Sequence, residues 1–124
     1  MKLIRKDQAI HVDKTNGTKV DYYLLNDAEI HYNKINPRTL QEWHRHHRIS
    51  ENILKGELVY RYLDETNKEQ SLKLKQGDLL SIDKDIHTFE NQTDEVVEFI
   101  VFRYLPSYKN QSEMIKNDKE IIER

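Results

Sequence analysis

The chain has 124 residues, contains no cysteine, and carries 20 basic against 22 acidic side chains, for a formal net charge of −2. This length suits one domain, the lack of cysteine excludes a disulfide framework and a thiolate metal site, and the balanced charge provides no basic surface for nucleic acid or an anionic membrane. No apolar run at the amino terminus has the length of a signal peptide, so we expect a soluble cytoplasmic protein.

Short apolar clusters recur between polar turns along most of the chain, a pattern typical of strands that show one face to a core. The Asn16-Gly17 pair readily adopts positive φ and predicts a hairpin between the first two clusters. Pro106 ends the series, because it cannot donate to a strand ladder. The predicted strands cover residues 10–12, 18–25, 29–35, 40–46, 58–63, 71–74, 78–82, 87–90 and 96–104. Their number and spacing predict an all-β sandwich or barrel, with residues 1–124 as a single domain.

The tail of the chain has a different pattern. Ile121 and Ile122 lie among charged residues, and Ser112 is suited to cap the start of a helix. We predict a short C-terminal helix over about residues 111–124. Its charges are mixed in sign, which favours packing on the barrel or in a dimer seam over binding to a membrane.

Residues 43–51 hold three of the six histidines of the chain. In a strand, the period of two sends His44 and His46 to one face and His47 to the other. Two converging imidazoles are good ligands for zinc, iron, copper or nickel, and the nearby carboxylate of Glu51 offers an oxygen donor. A second segment, 77–91, has the pattern of a glycine turn, a strand, a polar turn and a strand that opens with His87. A third imidazole could therefore come from a neighbouring strand.

Together these segments resemble the two motifs of the cupin family of small β-barrels. The first motif is a His-x-His pair, then three or four intervening residues, a glutamate, and a strand that ends in glycine. The second runs from glycine through a strand and a turn to a histidine and an asparagine. The matching residues are His44, His46, Glu51 and Gly56, then Gly77, His87 and Asn91. The resemblance covers roughly residues 35–104, and it implies a double-stranded β-helix, or jelly-roll, as the core barrel.

The resemblance also implies a metal site at the mouth of the barrel. One divalent ion of Fe, Mn, Ni, Co or Zn would be held by His44, His46, His87 and Glu51, with positions left open for substrate or water. Only four residues separate Glu51 from Gly56, where the family has six. Either the strand is shortened, or Glu51 is not the equivalent of the family glutamate.

Candidates for the wall of the cavity come from the strands around the motifs. We expect Tyr60 and Tyr62, on the strand after the first motif, and Phe102 and Tyr104, on the last strand, to line it. His31 either lines the cavity or faces water.

Two functions fit these features. The first is a metal-dependent enzyme that acts on a small polar molecule, of the isomerase, epimerase or dioxygenase type, with its catalytic residues unassigned. The alternative is a non-catalytic cupin that binds or senses a small ligand or a metal. In either case we expect no nucleic-acid partner, and a homodimer, because barrels of this type expose edge strands that commonly pair between subunits.

Overall fold

A computed structural model describes residues 1–104 and 118–124. In this part of the chain, a 3-10 turn over Lys6–Gln8 is followed by twelve strands. These are β1 (Ile10–Asp13), β2 (Thr18–Leu24), β3 (Ala28–Ile35), β4 (Thr39–Leu40), β5 (His44–His46), β6 (Ser50–Lys55), β7 (Leu58–Leu63), β8 (Glu69–Leu74), β9 (Leu79–Ile82), β10 (His87–Asn91), β11 (Val97–Tyr104) and β12 (Lys119–Ile121). The predicted all-β class is confirmed. Among the described residues, no helix combines the length and the apolar character needed to cross a bilayer.

The strands form two antiparallel sheets. The first has the order β1-β2-β3-β11-β6-β9, and the second has the order β12-β5-β10-β7-β8, with β4 also paired to β10. The chain passes from one sheet to the other several times. Strands far apart in sequence, such as β3 and β11, therefore become neighbours along their full length.

The space between the sheets changes in character from one end to the other. At one end, Ile35 of β3 pairs with Val97 of β11, and their side chains join an apolar core with residues of both sheets. At the other end, Glu29 of β3 pairs with Arg103 of β11, and both side chains are buried. The core also contains Leu54, Leu58, Tyr60, Leu74, Ile82, Phe89, Phe99 and Val101. The apolar end holds most of the core, and the polar end lines a cavity.

Two glycines shape the turns that hold these strands. Gly17 has a φ of +84° in the predicted β1–β2 hairpin. Gly56 follows β6 with a φ of +152°, and a Cβ there would lie 3.1 Å from Cγ1 of Val97. Both backbone conformations favour glycine over residues with a side chain.

The C-terminal segment differs from its prediction. Residues 105–117, which contain the first half of the predicted helix 111–124, lie outside the described residues. Lys119–Ile121 form β12 instead of helix and pair with β5, with Lys119 opposite His46 and Ile121 opposite His44. The backbone groups on the open side of β5 need partners, and the ladder with β12 supplies them.

Candidate metal centre

Strand pairing brings three of the predicted ligands together. His44 and His46 lie on β5, and His87 opens β10 directly opposite His44. One ring nitrogen from each histidine lies within 4.8 Å of the others, and the ring centroids of His44 and His87 are 4.4 Å apart. His47, on the other face of its segment, is exposed. The arrangement offers three nitrogen donors to a single ion.

The backbone sets the tautomer of two of these rings. Nδ1 of His44 lies 2.6 Å from the carbonyl oxygen of Glu42, and Nδ1 of His87 lies 2.8 Å from that of Asp85. A carbonyl oxygen can only accept a hydrogen bond, so each Nδ1 must carry the proton and donate it. In a neutral ring, Nε2 is then left with a free lone pair, which is the form that binds a metal.

Asp118 sets the tautomer of the third ring. Nδ1 of His46 lies 2.8 Å from Oδ2 of Asp118, whose side chain is 4% exposed. Burial raises the pKa of Asp118, but the hydrogen bond from His46 and the charge of Arg103 lower it to about 2. The backbone N–H and Nε of Arg48 also donate to this carboxylate, each at 3.1 Å. Asp118 is therefore an ionised acceptor, and it leaves Nε2 of His46 free.

All three imidazoles are neutral at physiological pH. Burial lowers the pKa of His46 to about 3 and that of His87 to about 4. Burial, together with the neighbouring His87, places the pKa of His44 far below its usual range. Because a metal ligand must be deprotonated, these rings need release no proton from Nε2 on binding an ion at pH 7.

Glu51 does not join the three histidines. In β6 the buried side chains are those of Ser50, Asn52 and Leu54. Glu51 alternates to the opposite face, where its Oε1 accepts a hydrogen bond of 2.9 Å from Oγ of Ser81. The predicted fourth ligand is therefore corrected: strand parity turns it away from the site. Among the described residues, the metal-sized group contains no carboxylate.

A cavity of about 470 Å³ adjoins the three imidazoles, and His31 lines it together with residues of both sheets. Its apolar lining consists of Ile10, Val12, Ile82, Phe89, Phe99 and Val101. A cavity of this size accommodates a small molecule.

The other predicted lining residues lie elsewhere. Tyr60 is buried in the apolar core, with its ring 5.3 Å from that of His87, and Tyr62 stacks on it. Phe102 and Tyr104 are on the outer face of β11, where Tyr104 is 74% exposed. The residues of β11 that face the cavity include Val101 and Arg103, each one position before a residue that the sequence predicted to do so. Period-two geometry makes such an error affect every residue of a strand face at once.

The sequence interpretation missed several charged and polar residues of the cavity. The charged ones are Lys14, Glu29, Arg103, Asp118 and Lys119, and the uncharged polar ones include Asn33, Gln41, Ser50 and Asn52. The sequence could have identified two of them, because the period of two places Glu29 and Asn33 on the same face of the strand as His31. Asp118 and Lys119 carried no such signal, since their segment was predicted to be helical.

No protein-family model matches the sequence, and no curated protein matches it. Solved structures do resemble the fold. Oxalate decarboxylase from Bacillus subtilis superposes with a TM-score of 0.76 at 13% identity, over 96% of this chain and 31% of that one. Oxalate decarboxylase from Lactobacillus farciminis, in a formate complex, gives 0.74 at 16% identity, over 96% and 35%. The 7S globulin of Momordica charantia gives 0.71 at 12% identity, over 86% and 34%.

This chain spans about a third of the length of those proteins. At such low identity the likeness concerns the fold.

Proposed function

We propose that this chain, a small domain with the cupin fold, binds one divalent metal ion on His44, His46 and His87 and acts as an enzyme on a small polar molecule in the adjoining cavity. One observation carries the proposal: all three rings have Nδ1 engaged with an acceptor, which leaves three Nε2 lone pairs for the same ion. Such secondary hydrogen bonds are the usual support of metal-binding histidines.

The donor set bears on the identity of the metal. Three neutral nitrogens without a carboxylate favour Fe, Co, Ni or Zn over Mn, which prefers harder oxygen ligands. When bound, a divalent ion supplies Lewis-acid chemistry, by polarising a substrate oxygen or lowering the pKa of water.

The polar wall of the cavity bears on the reaction. A dioxygenase needs a largely apolar pocket, whereas an isomerase or epimerase needs a group that accepts a proton. Glu29 lines the cavity as an ionised carboxylate: burial raises its pKa, but the neighbouring His31 and the guanidinium groups of Arg48 and Arg103 lower it below its usual value. Its Oε2 has no hydrogen-bond partner among the described residues. We therefore place the isomerase or epimerase type first, with Glu29 as the proton acceptor.

The metal content of the protein tests the site. Protein purified without an affinity tag is analysed for bound elements, beside His46→Ala and His87→Ala. His47→Ala is the matched control, because His47 is an exposed histidine on the same segment. We expect about one metal ion per chain in the parent and in the control, and a large loss in the other two variants. A parent without metal, or variants that retain it, would contradict the proposal.

Proton exchange tests the reaction type. The metal-loaded protein is incubated in D2O with small hydroxy-aldehydes, hydroxy-ketones and sugar acids, and deuterium next to the carbonyl is followed by NMR. We expect incorporation that requires the metal and falls strongly in Glu29→Gln. O2 consumption by the iron form without exchange would favour the dioxygenase type. A stoichiometric metal with neither activity would favour the non-catalytic binding protein.

A further inference from the structure

One wall of the cavity is polar although it lies deep in the protein. Glu29, His31 and Asn33 alternate along β3 and point between the sheets, where none is more than 7% exposed. Within the described part of the chain, Oε2 of Glu29, Nε2 of His31 and Nδ2 of Asn33 have no hydrogen-bond partner. Nε2 of His31 does approach Oε1 of Glu29 at 3.3 Å, but without the alignment of a hydrogen bond.

Unpaired polar atoms in a buried wall cost free energy, so three on one strand indicate a ligand that completes their bonding. The carboxylate of Glu29 accepts hydrogen bonds, and the amide of Asn33 donates them. His31 receives a hydrogen bond of 3.5 Å at Nδ1 from Arg103, so its Nε2 carries the proton and also donates. A hydroxyl group is both a donor and an acceptor, and it can satisfy either kind of partner.

A second feature of the cavity is a pair of lysines. Lys14 follows β1 and Lys119 begins β12, so the edge strands of the two sheets bring them together on the cavity wall. Burial and the nearby Lys119 ammonium lower the pKa of Lys14 to about 8. Glu42 attracts both ammonium groups, but neither forms an ion pair with a carboxylate of the described residues. The two side chains share a hydrogen bond with each other, which favours only one positive charge on the pair. A bound anion would stabilise the second charge, so this pair of lysines favours an anionic ligand.

The charge of the whole lining agrees with this conclusion. The cations Lys14, Arg103 and Lys119 face the carboxylates of Glu29 and Asp118. The imidazoles are neutral, so a divalent ion held on them would add positive charge, and the described ligand group contains no carboxylate to cancel it. This step rests on the proposed function, whereas the lysine pair and the unpaired atoms of β3 do not.

The two features are close enough to serve one ligand. The charge of Lys14 contributes to the lowered pKa of His31, after the larger effect of burial. Both residues line the same cavity of about 470 Å³. A molecule of a few carbon atoms can therefore contact the lysines at one end and β3 at the other.

We propose that the cavity binds a small carboxylic acid that also carries hydroxyl groups. The carboxylate pairs with the ammonium groups of Lys14 and Lys119. The hydroxyl groups bond to Glu29, His31 and Asn33.

Three six-carbon probes separate the parts of this proposal by calorimetric titration of the intact 124-residue chain. D-gluconate carries both the carboxylate and the hydroxyls, hexanoate carries only the carboxylate, and D-glucitol carries only the hydroxyls. We expect gluconate to bind at least about tenfold more tightly than hexanoate or glucitol. Glucitol cannot make the charge-assisted bonds to the lysines, and hexanoate cannot make the buried hydrogen bonds to β3. Inorganic phosphate is titrated as a general anion.

Two variants locate the contacts. Lys14→Met keeps the aliphatic stem but removes the charge, and we expect it to weaken gluconate about tenfold. Lys19→Met is the matched control, because Lys19 is exposed on β2, and gluconate binding should not change. Asn33→Ala should reduce the preference for gluconate over hexanoate and leave the affinity for hexanoate unchanged.

The outcomes are distinct. Equal binding of gluconate and glucitol overturns the role of the lysines, and equal binding of gluconate and hexanoate overturns the role of β3. Phosphate that binds as tightly as gluconate overturns the carboxylic-acid class. The metal content is measured on the same samples: a full metal site without preference for gluconate refutes this inference alone. A gluconate preference in protein without metal supports it while refuting the proposed metal function.

Discussion

Asp118→Asn should weaken metal binding without removing a ligand. The carboxylate accepts the Nδ1 proton of His46 at 2.8 Å and is itself held by Arg48. An amide of the same shape can turn its NH2 group towards the ring, which would place the proton on Nε2 and block the donor atom. The change therefore acts on the tautomer of a ligand.

The size of the expected loss in metal affinity follows from the electrostatics of the Asp118 carboxylate. Its pKa falls from 3.8 to about 2, so its ionised form is favoured by roughly 2 kcal/mol in sum over all its partners, with the opposing effect of burial already included. The bond to His46 is one part of that sum. We therefore expect the metal affinity to fall by about 10- to 30-fold, at the lower end of the range usual for the loss of such partners.

The assay is competition for Zn²⁺ with a chromophoric chelator, at a temperature at which circular dichroism shows each variant to be folded. Glu120→Gln is the matched control, because Glu120 lies two residues after Asp118, on β12, and pairs at 2.8 Å with the partly exposed Arg45. Its affinity should equal that of the parent. An Asp118→Asn protein that binds zinc as tightly as the parent would refute the reasoning, as would an equal loss in both variants.

Further predictions concern the corrected ligand, the acid response and the assembly. Glu51→Gln should leave the metal content unchanged, because its side chain bonds to Ser81 on the outer face; a loss like that of His46→Ala would return Glu51 to the site. In the metal-free protein, His46 and His87 have pKa values of about 3 and 4, below the 6.5 of an unfolded chain. Protonation then favours unfolding, so their contribution to the free energy of unfolding is full above pH 6.5 and is lost as the pH falls towards 4. Urea titrations across this range measure it, and a smaller loss is expected in His87→Ala. Light scattering at micromolar concentration should show a homodimer, and a monomer would contradict that expectation.

Some strands of the fold could be located from the sequence, and others could not. The sequence located β2, β3, β7 and β11 to within about a residue at each end, because each is a short segment rich in apolar residues that is bounded by polar turn residues. It failed for β6, whose buried side chains include Ser50 and Asn52 while Ile53 is exposed. A strand that lines a polar cavity loses the pattern by which strands are recognised.

The sequence also left open which face of a strand points to the interior. The period of two tells which residues share a face, but it does not tell which face is inside when both faces contain apolar residues. On β11, Phe99 and Val101 face inward, while Ile100 and Phe102 face outward. Only the packing of the second sheet decides which face is inside. The prediction that Phe102 and Tyr104 line the cavity therefore assigned the wrong face of β11 to the interior.

What the sequence by itself determined is therefore local: the all-β class, most of the strands, and the shared face of His44 and His46. The third imidazole could be predicted because its motif resembles that of a known family. The tertiary structure alone decided that Glu51 points away, that Asp118 orients His46, and that Lys14 meets Lys119. These contacts join edge strands and segments separated by up to about a hundred residues, and no local period carries information about such pairs.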